Sequence, residues 1–491
     1  MSADTLPDAD RPDHPPGLRA LLTYERPRPE WLRDRQGGWW LAIAAVCLGA
    51  FMGQLDASIA TLTYPALQAR FHAGLAGVEW VSLSYLLTLT ALLVPVGRLS
   101  DARGRKLMYL YGFLVFTAAS GACAISPNLA TLVAFRALQA GGAALLQANS
   151  VALVTTSAPR DRLRAALGVQ AGAQALGLAL GPTLGGVIVS ALGWRWVFFV
   201  NVPVGLIAVV AGHYLLPRTR TKASADNFDW PGLAWLATAT TTLLLAISAS
   251  SGLGLPPAAV IVLFAAAAAA AYALARRLRT TVSPLIDPQL LRNRQIVSGL
   301  VGALGGYLVL FGPLVLVPVA LTRSGTSLTT AGLILTALPA GFALAALGSD
   351  RVIPKAWGDR RRALAGSAIA AAALVGMILV PLTAAWLAPL LAALGVGLGV
   401  FTPANNTLVM TAIPARAAGT GGGLVNMTRA LGTALGVALV TLTLHLAPRT
   451  DPALGGHVAA ALLTALALGV LASTLINPRG GPPHAPVHTD L

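Results

Sequence analysis

Apolar stretches of about twenty residues recur along this chain, separated by short polar joints. A helix needs about 20 apolar residues to cross a hydrocarbon layer of ~30 Å. That length predicts fourteen spans: 38–61, 77–97, 107–126, 129–156, 165–190, 197–216, 232–251, 257–276, 295–320, 328–349, 363–382, 385–411, 417–445 and 455–476. Their Gly and Pro content is common in spans, where small residues let backbones approach closely. Joints as short as Ser126-Pro127-Asn128 make neighbouring spans antiparallel. The run Pro256–Ala275, with seven consecutive alanines, is apolar on every side and offers no chemistry. The predicted fold class is an all-α polytopic membrane protein. Residues 1–37 and 477–491 are expected to be disordered cytoplasmic tails, since neither carries an apolar core. No cleavable signal is expected in the first of them.

Composition supports the same class. Hydrophobic residues make up 56% and charged residues 11% of the 491, against about 25% charged in a soluble domain. A soluble multidomain enzyme is thereby excluded. Two cysteines, Cys47 and Cys123, both in apolar runs, exclude a disulfide scaffold. The net charge of +16 suggests nucleic acid until the basic residues are sorted by joint. Of the 34 Lys and Arg, 28 fall on one side and four on the other, with Arg136 and Arg429 inside spans. The positive-inside rule then places both termini in the cytoplasm of a cell-membrane protein and accounts for the arginines without nucleic acid.

The longest inside joints, 217–231 and 277–294, bracket spans seven and eight and leave six on either side. The predicted organisation is an N-terminal six-helix bundle at 38–216 and a C-terminal one at 295–476. Between them, 217–294 holds linkers flanking an inserted pair at 232–276. Two pseudo-symmetric bundles around a midplane cavity suit a transporter. Weak repetition agrees: Gly97–Lys106 (GRLSDARGRK) follows span two, and Gly348-Ser349-Asp350-Arg351 with Gly358–Arg362 follows span ten.

Gly97–Lys106 is the strongest motif. Gly97 lets two helices approach, Asp101 can accept from helix N-termini or arginines, and Gly104 makes a tight turn. Arg103, Arg105 and Lys106 are expected to hold that turn against the anionic leaflet. Such a latch can break and re-form as the bundles rock; the plainer reading is a positive-inside loop.

GRLSDARGRK is similar to the signature between spans two and three of the major facilitator superfamily. Arg136-Ala-Leu-Gln139-Ala-Gly141 resembles its fourth-span motif, and Gly177-x-x-x-Gly181-Pro182-x-x-Gly185-Gly186 the fifth-span motif of its exporters. Trp194–Pro203 resembles the segment entering span six in the fourteen-span drug:proton antiporters of the EmrB/QacA type. Thr61, Tyr64 and Ala140 stand where that family usually has Asn, an aliphatic residue and Gly. The resemblance implies a 6+2+6 fold and export.

Asp56 is the candidate proton-coupling residue, because it alone of the 18 acidic residues sits well inside an apolar run. A carboxylate there is costly when ionised, which fits it to take up and release a proton. The alternative is a static tie to Arg136. Arg136 lies about two turns into span four, with Gln139 one turn later on the same face. It is either a proton-relay partner or a helix tie.

Gln139, Trp80, Tyr85, Asn426 and Arg429 are candidate substrate-cavity residues. For Trp80 and Tyr85 an interfacial belt is the commoner explanation, and Arg429 either faces the cavity or pairs with backbone near Asn405 and Asn406. Gly177–Gly186 is expected to cross a partner span at the bundle interface, with Pro182 loosening the helix. The Gly419–Gly423 and Gly432–Gly436 stretches are read as packing. The chain has three lysines, none completing a phosphate loop, and its histidines lack metal-ligand spacing.

The function expected is a proton-driven secondary exporter of hydrophobic or amphipathic compounds, neutral or monovalent. It would work as a monomer in the bilayer without cofactor, metal or nucleic acid. Export of a lipid or self-made natural product on the same fold is the alternative, and a membrane enzyme or channel a remote one.

Overall fold

Every regular element among the described residues is helical. The computed structural model describes residues 25, 29, 37–73, 75–219, 228–250, 256–323, 328–354, 356–446 and 452–476. In chain order the helices are α1 (Trp39–Ile59), α2 (Tyr64–Phe71), α3 (Leu75–Arg103), α4 (Arg105–Ala124), α5 (Leu129–Ser157) and α6 (Leu163–Leu192). Next come α7 (Trp194–Phe199), α8 (Asn201–Leu215), α9 (Trp230–Ser250), α10 (Pro257–Thr280), α11 (Pro288–Arg292) and α12 (Arg294–Arg323). The last are α13 (Leu328–Leu335), α14 (Ala337–Val352), α15 (Asp359–Leu379), α16 (Ala384–Ala412), α17 (Ala418–Leu446) and α18 (Pro452–Ile476).

Thirteen helical stretches among the described residues are long and apolar enough to cross a membrane. The stretch expected to form the fifth span folds as one continuous 30-residue helix, α6, which is not among those thirteen. Spans six and ten each form as two helices, broken at Val200 and Thr336. The polar joints supply the stops: Asn128 caps α5 by accepting from the Thr131 N–H at 2.9 Å, satisfying one of the unpaired donors of a helix start. The signature motif is less loop than expected. Helix continues through Arg103 and resumes at Arg105, leaving Gly104 alone between them at φ +118°. Only glycine adopts that backbone without strain.

The helices before α9 meet those after α11 chiefly along two seams, α3 with α17 and α6 with α14, with α5 also against α17 and α6 against α16. Gly97 and Gly419 pack so closely at the first seam that a methyl on either would strike the other's carbonyl oxygen. At the second, Gly168 and Gly172 admit Ala346 and Leu347. The pair α9–α10 packs on itself, and α9 also touches α3 and α17. The alanine run of α10 is mostly exposed at the protein surface.

Two expectations about the joints change. Most of the amino tail, residues 220–227 of the first linker and all of 477–491 lie outside the described residues. Glu25 does not behave as part of a loose tail: it is buried, accepts from the Leu107 N–H at 3.2 Å, and takes the Thr219 N–H and hydroxyl at 2.7 and 3.0 Å. Nor is 277–294 merely a connector. Buried Asp229 accepts from Arg277 Nε at 2.6 Å and from the N–H groups of Gly232 and Leu285.

Candidate functional site

A buried polar knot joins five helices of the first half. Asp56, near the end of α1, is 1% exposed and Arg136 on α5 likewise. Arg136 Nη1 donates to Asp56 Oδ2 at 2.6 Å. Asp56 Oδ1 accepts from Gln139 Nε2 and Asn201 Nδ2, both at 3.0 Å. The arginine also donates to the Val81 carbonyl at 3.1 Å and to Gln139 Oε1 at 2.6 Å, and Gln139 donates on to Ser120 Oγ at 2.7 Å. The guanidinium carbon lies 4.3 Å from the Tyr85 ring centre and 5.6 Å from that of Phe198. The i, i+3 spacing of Arg136 and Gln139 puts both on one face, and the depth of two turns brings them level with Asp56. Every donor to the carboxylate is a side chain that a small rotation can withdraw.

The structure places Gln139 and Tyr85 in the Asp56 knot, and neither is among the lining residues of the cavity between the halves. Trp80 is 39% exposed and stands outside the knot. Asp56 itself is enclosed among α3, α5 and α8. Asn201 and Ser120 went unnoticed as site residues. A lone amide opening a span just after an aromatic cluster was the available signal for Asn201.

The fifth-span glycines pack on the Asp56 helix. Methyls at Gly177, Gly181 and Gly185 would strike Phe51, Ser58 and Ile59 of α1, while Gly186 faces open space. The expected contact at the seam between halves is made two turns earlier, by Gly168 and Gly172. The Pro182 side chain lies outside the described residues. Thus α6 rides on α1 with one end and on α14 with the other.

At the basic end, Asp101 is a buried clasp. Its Oδ1 accepts from Arg105 Nε and Nη2 at 2.9 and 2.7 Å and from the Gly419 N–H at 2.7 Å. Its Oδ2 accepts from the Thr420 N–H at 2.7 Å and the Thr420 hydroxyl at 2.8 Å. A carboxylate at the start of α17 meets both unpaired N–H groups and the positive end of the helix dipole. Arg105 completes the clasp on the Ala415 carbonyl at 2.6 Å. The expectation that Arg105 and Lys106 face the leaflet is corrected: both are buried, and Lys106 Nζ donates to the Leu216 carbonyl at 2.8 Å. Only Arg103 is exposed. The positive-inside rule assigns a side of the membrane, not a contact.

The degenerate second copy makes the matching clasp. Arg164, opening α6, donates to Asp350 at 2.7 Å and to Asp359 at 2.9 Å, and Arg362 joins Asp350 at 2.9 Å. Both seams are therefore fastened at the basic end.

Between the halves lies a small cavity, lined among others by Gln54, Gln174, Tyr307, Phe311, Pro339 and Phe342. Arg429 on α17 is 3% exposed beside it. Its Nη1 reaches Asn426 Oδ1 at 3.1 Å and Gln174 Oε1 at 3.5 Å, and its guanidinium carbon lies 5.1 Å from the Tyr307 ring centre. Asn426 is spent on the Gln147 and Gly422 carbonyls. The pairing with backbone near Asn405 and Asn406 is not formed; Asn405 donates to the Gly299 carbonyl instead. No group of three or more potential metal ligands occurs among the described residues.

A family model described as the Major Facilitator Superfamily matches residues 46–437. The riboflavin transporter RibZ of Clostridioides difficile (strain 630) is 30% identical over 402 residues, covering 81% of this chain and 87% of that protein. The tetracenomycin C resistance and export protein of Streptomyces glaucescens is 29% identical over 412 residues, covering 82% and 76%. In the crystal structure of the human organic anion transporter MFSD10 (TETRAN), the same fold recurs at a TM-score of 0.66 and 18% identity, covering 89% of this chain and 100% of that one.

Proposed function

Because this chain belongs to the Major Facilitator Superfamily, we propose that it is a proton-coupled exporter of amphipathic compounds working by alternating access. The finer architecture belongs to the proposal: fourteen spans as 6+2+6 with α6 as the fifth, the EmrB/QacA-type drug:proton antiporter family, and both termini in the cytoplasm. It would act as a monomer, with the proton gradient in place of any cofactor.

The observation that carries the reading is the Asp56 knot. In it both carboxylate oxygens are committed, to Arg136, Gln139 and Asn201. A proton arriving on Oδ2 replaces the Arg136 N–H there. The arginine then keeps the Val81 carbonyl and Gln139 Oε1 as acceptors. Neutralising the carboxylate removes its ionic tie to Arg136 and loosens α1 from α5, and α6, seated on α1, passes the shift to its seam with α14. Removing one partner of a buried pair costs about 3–5 kcal/mol, enough to tip an alternating-access equilibrium.

The test uses full-length protein in proteoliposomes with an internal pH dye and a panel of hydrophobic dyes and drugs. Wild type moves protons when substrate is added and exports uphill under an imposed pH gradient. Asp56→Asn loses uphill export and keeps downhill exchange. Unchanged uphill export in the variant would reject Asp56 as the coupling residue. A second reading, export of a self-made natural product, is favoured by the relative named for tetracenomycin C resistance and export.

A further inference from the structure

Arg429 is a buried cation with an unfilled binding edge. Its Nε and Nη2 are both buried with no hydrogen-bond partner. Among the described residues it forms no ion pair; every recorded contact is to a neutral group, Asn426, Gln174 or the Tyr307 ring. Structures seldom leave such groups bare, because a desolvated donor without an acceptor is costly and a desolvated charge more so. The pattern of what is satisfied is informative. Nη1 is held in place by protein, whereas Nε and Nη2 form one straight side of the planar guanidinium. Two parallel N–H groups on that side match the two oxygens of a carboxylate.

Its surroundings select for more than charge. Two of the three groups that hold the guanidinium, Gln174 and Tyr307, also line the cavity between the halves, whose wall continues in Phe311, Pro339 and Phe342. A largely apolar, aromatic-lined space with one convergent polar group is the form of a small-molecule site. Here the polar group is the Arg429 cation, which stands behind two of the lining residues, Gln174 and Tyr307.

We propose that Arg429, positioned by Gln174, Asn426 and Tyr307, binds the carboxylate of an amphipathic organic anion whose apolar body occupies the cavity between the halves. This rests on the export reading and gives it a substrate class. The Asp56 knot is separate in space, so proton and anion occupy different sites. Expelling one anion for each proton admitted moves two positive charges inward per cycle, so an inside-negative membrane potential drives export as well as the pH gradient.

The test is equilibrium binding of 2-naphthoate and its uncharged analogue 2-naphthamide to the full chain in lipid nanodiscs at neutral pH, with empty nanodiscs as the reference. Wild type is expected to prefer naphthoate by about 10- to 100-fold, the range of a charge-assisted pair of hydrogen bonds. Arg429→Gln should erase that preference while leaving naphthamide affinity within about twofold. Arg429→Lys should recover only part of it, since an ammonium lacks the planar fork. Equal binding of the two probes by wild type overturns the proposal, as does an equal loss of both in Arg429→Gln. Should that variant not fold, the wild-type preference, and its retention in Asp56→Asn, still decide the matter. Naphthoate preference in a protein that never couples to protons sinks the export reading alone. Proton-coupled export without the preference sinks this inference alone.

Discussion

Replacing Asp101 by Asn should unfasten the basic end of the α3–α17 seam. The carboxylate accepts five hydrogen bonds there, from Arg105 twice, from the N–H groups of Gly419 and Thr420, and from the Thr420 hydroxyl. An amide retains one acceptor oxygen but turns an NH₂ toward donors, and it leaves Arg105 buried without its counter-charge. Breaking a buried pair in this way costs about 3–5 kcal/mol. Taking ~3 kcal/mol, a closed end favoured about 99:1 falls to near parity. Arg103 and Arg416 are both exposed and flank the seam, so Arg103→Cys and Arg416→Cys can carry spin labels. Cys47 would be changed to Ser, and Cys123, being fully buried, left in place. Wild type should give one short-distance population, and Asp101→Asn a comparable second population at longer distance. An unchanged distance distribution in the folded variant would refute the clasp.

The α6–α14 seam offers a weaker counterpart, because the side chains of Arg164, Asp350 and Asp359 are each about a quarter exposed. Arg164→Asp should open that seam less than Asp101→Asn opens its own, and adding Asp350→Arg should restore part of the closure; labels across α6 and α14 report both. Burial alone would raise the Asp229 carboxyl, but hydrogen bonds from Arg277 and the Gly232 and Leu285 N–H groups outweigh it and hold the group below the usual carboxylate value. Its folded pKa being the lower one, the docking of 277–294 is stabilised above about pH 4 and lost as pH falls through the depressed value. Amide exchange at Leu285 should stay slow from neutral pH down to that range and be fast throughout in Asp229→Asn; fast exchange at neutral pH in wild type would contradict it.

Charges stranded in apolar runs are legible in the sequence itself. Asp56, Arg136 and Gln139 stood out because few polar groups sit within those spans, and helical spacing alone put the last two on one face. What they touch was harder. Asn201 is one neutral amide, and nothing local says that it points at a carboxylate 145 positions earlier. Arg105 and Lys106 were assigned to the right end of the molecule and the wrong surroundings, since counting basic residues carries no information on burial. The fifth-span glycines were rightly read as a packing stripe but given the wrong partner, because a small-residue pattern does not specify which helix fills it. Arg429 was visible as a charge within a span, yet its open edge is a property of geometry alone.

The Asp101 and Arg164 fastenings sit at one end of the molecule, on opposite edges of the same parting line. With a bolt on each jamb, releasing one shifts the load to the other and brings the door nearer to opening. A full parting of the halves at that end requires both to let go.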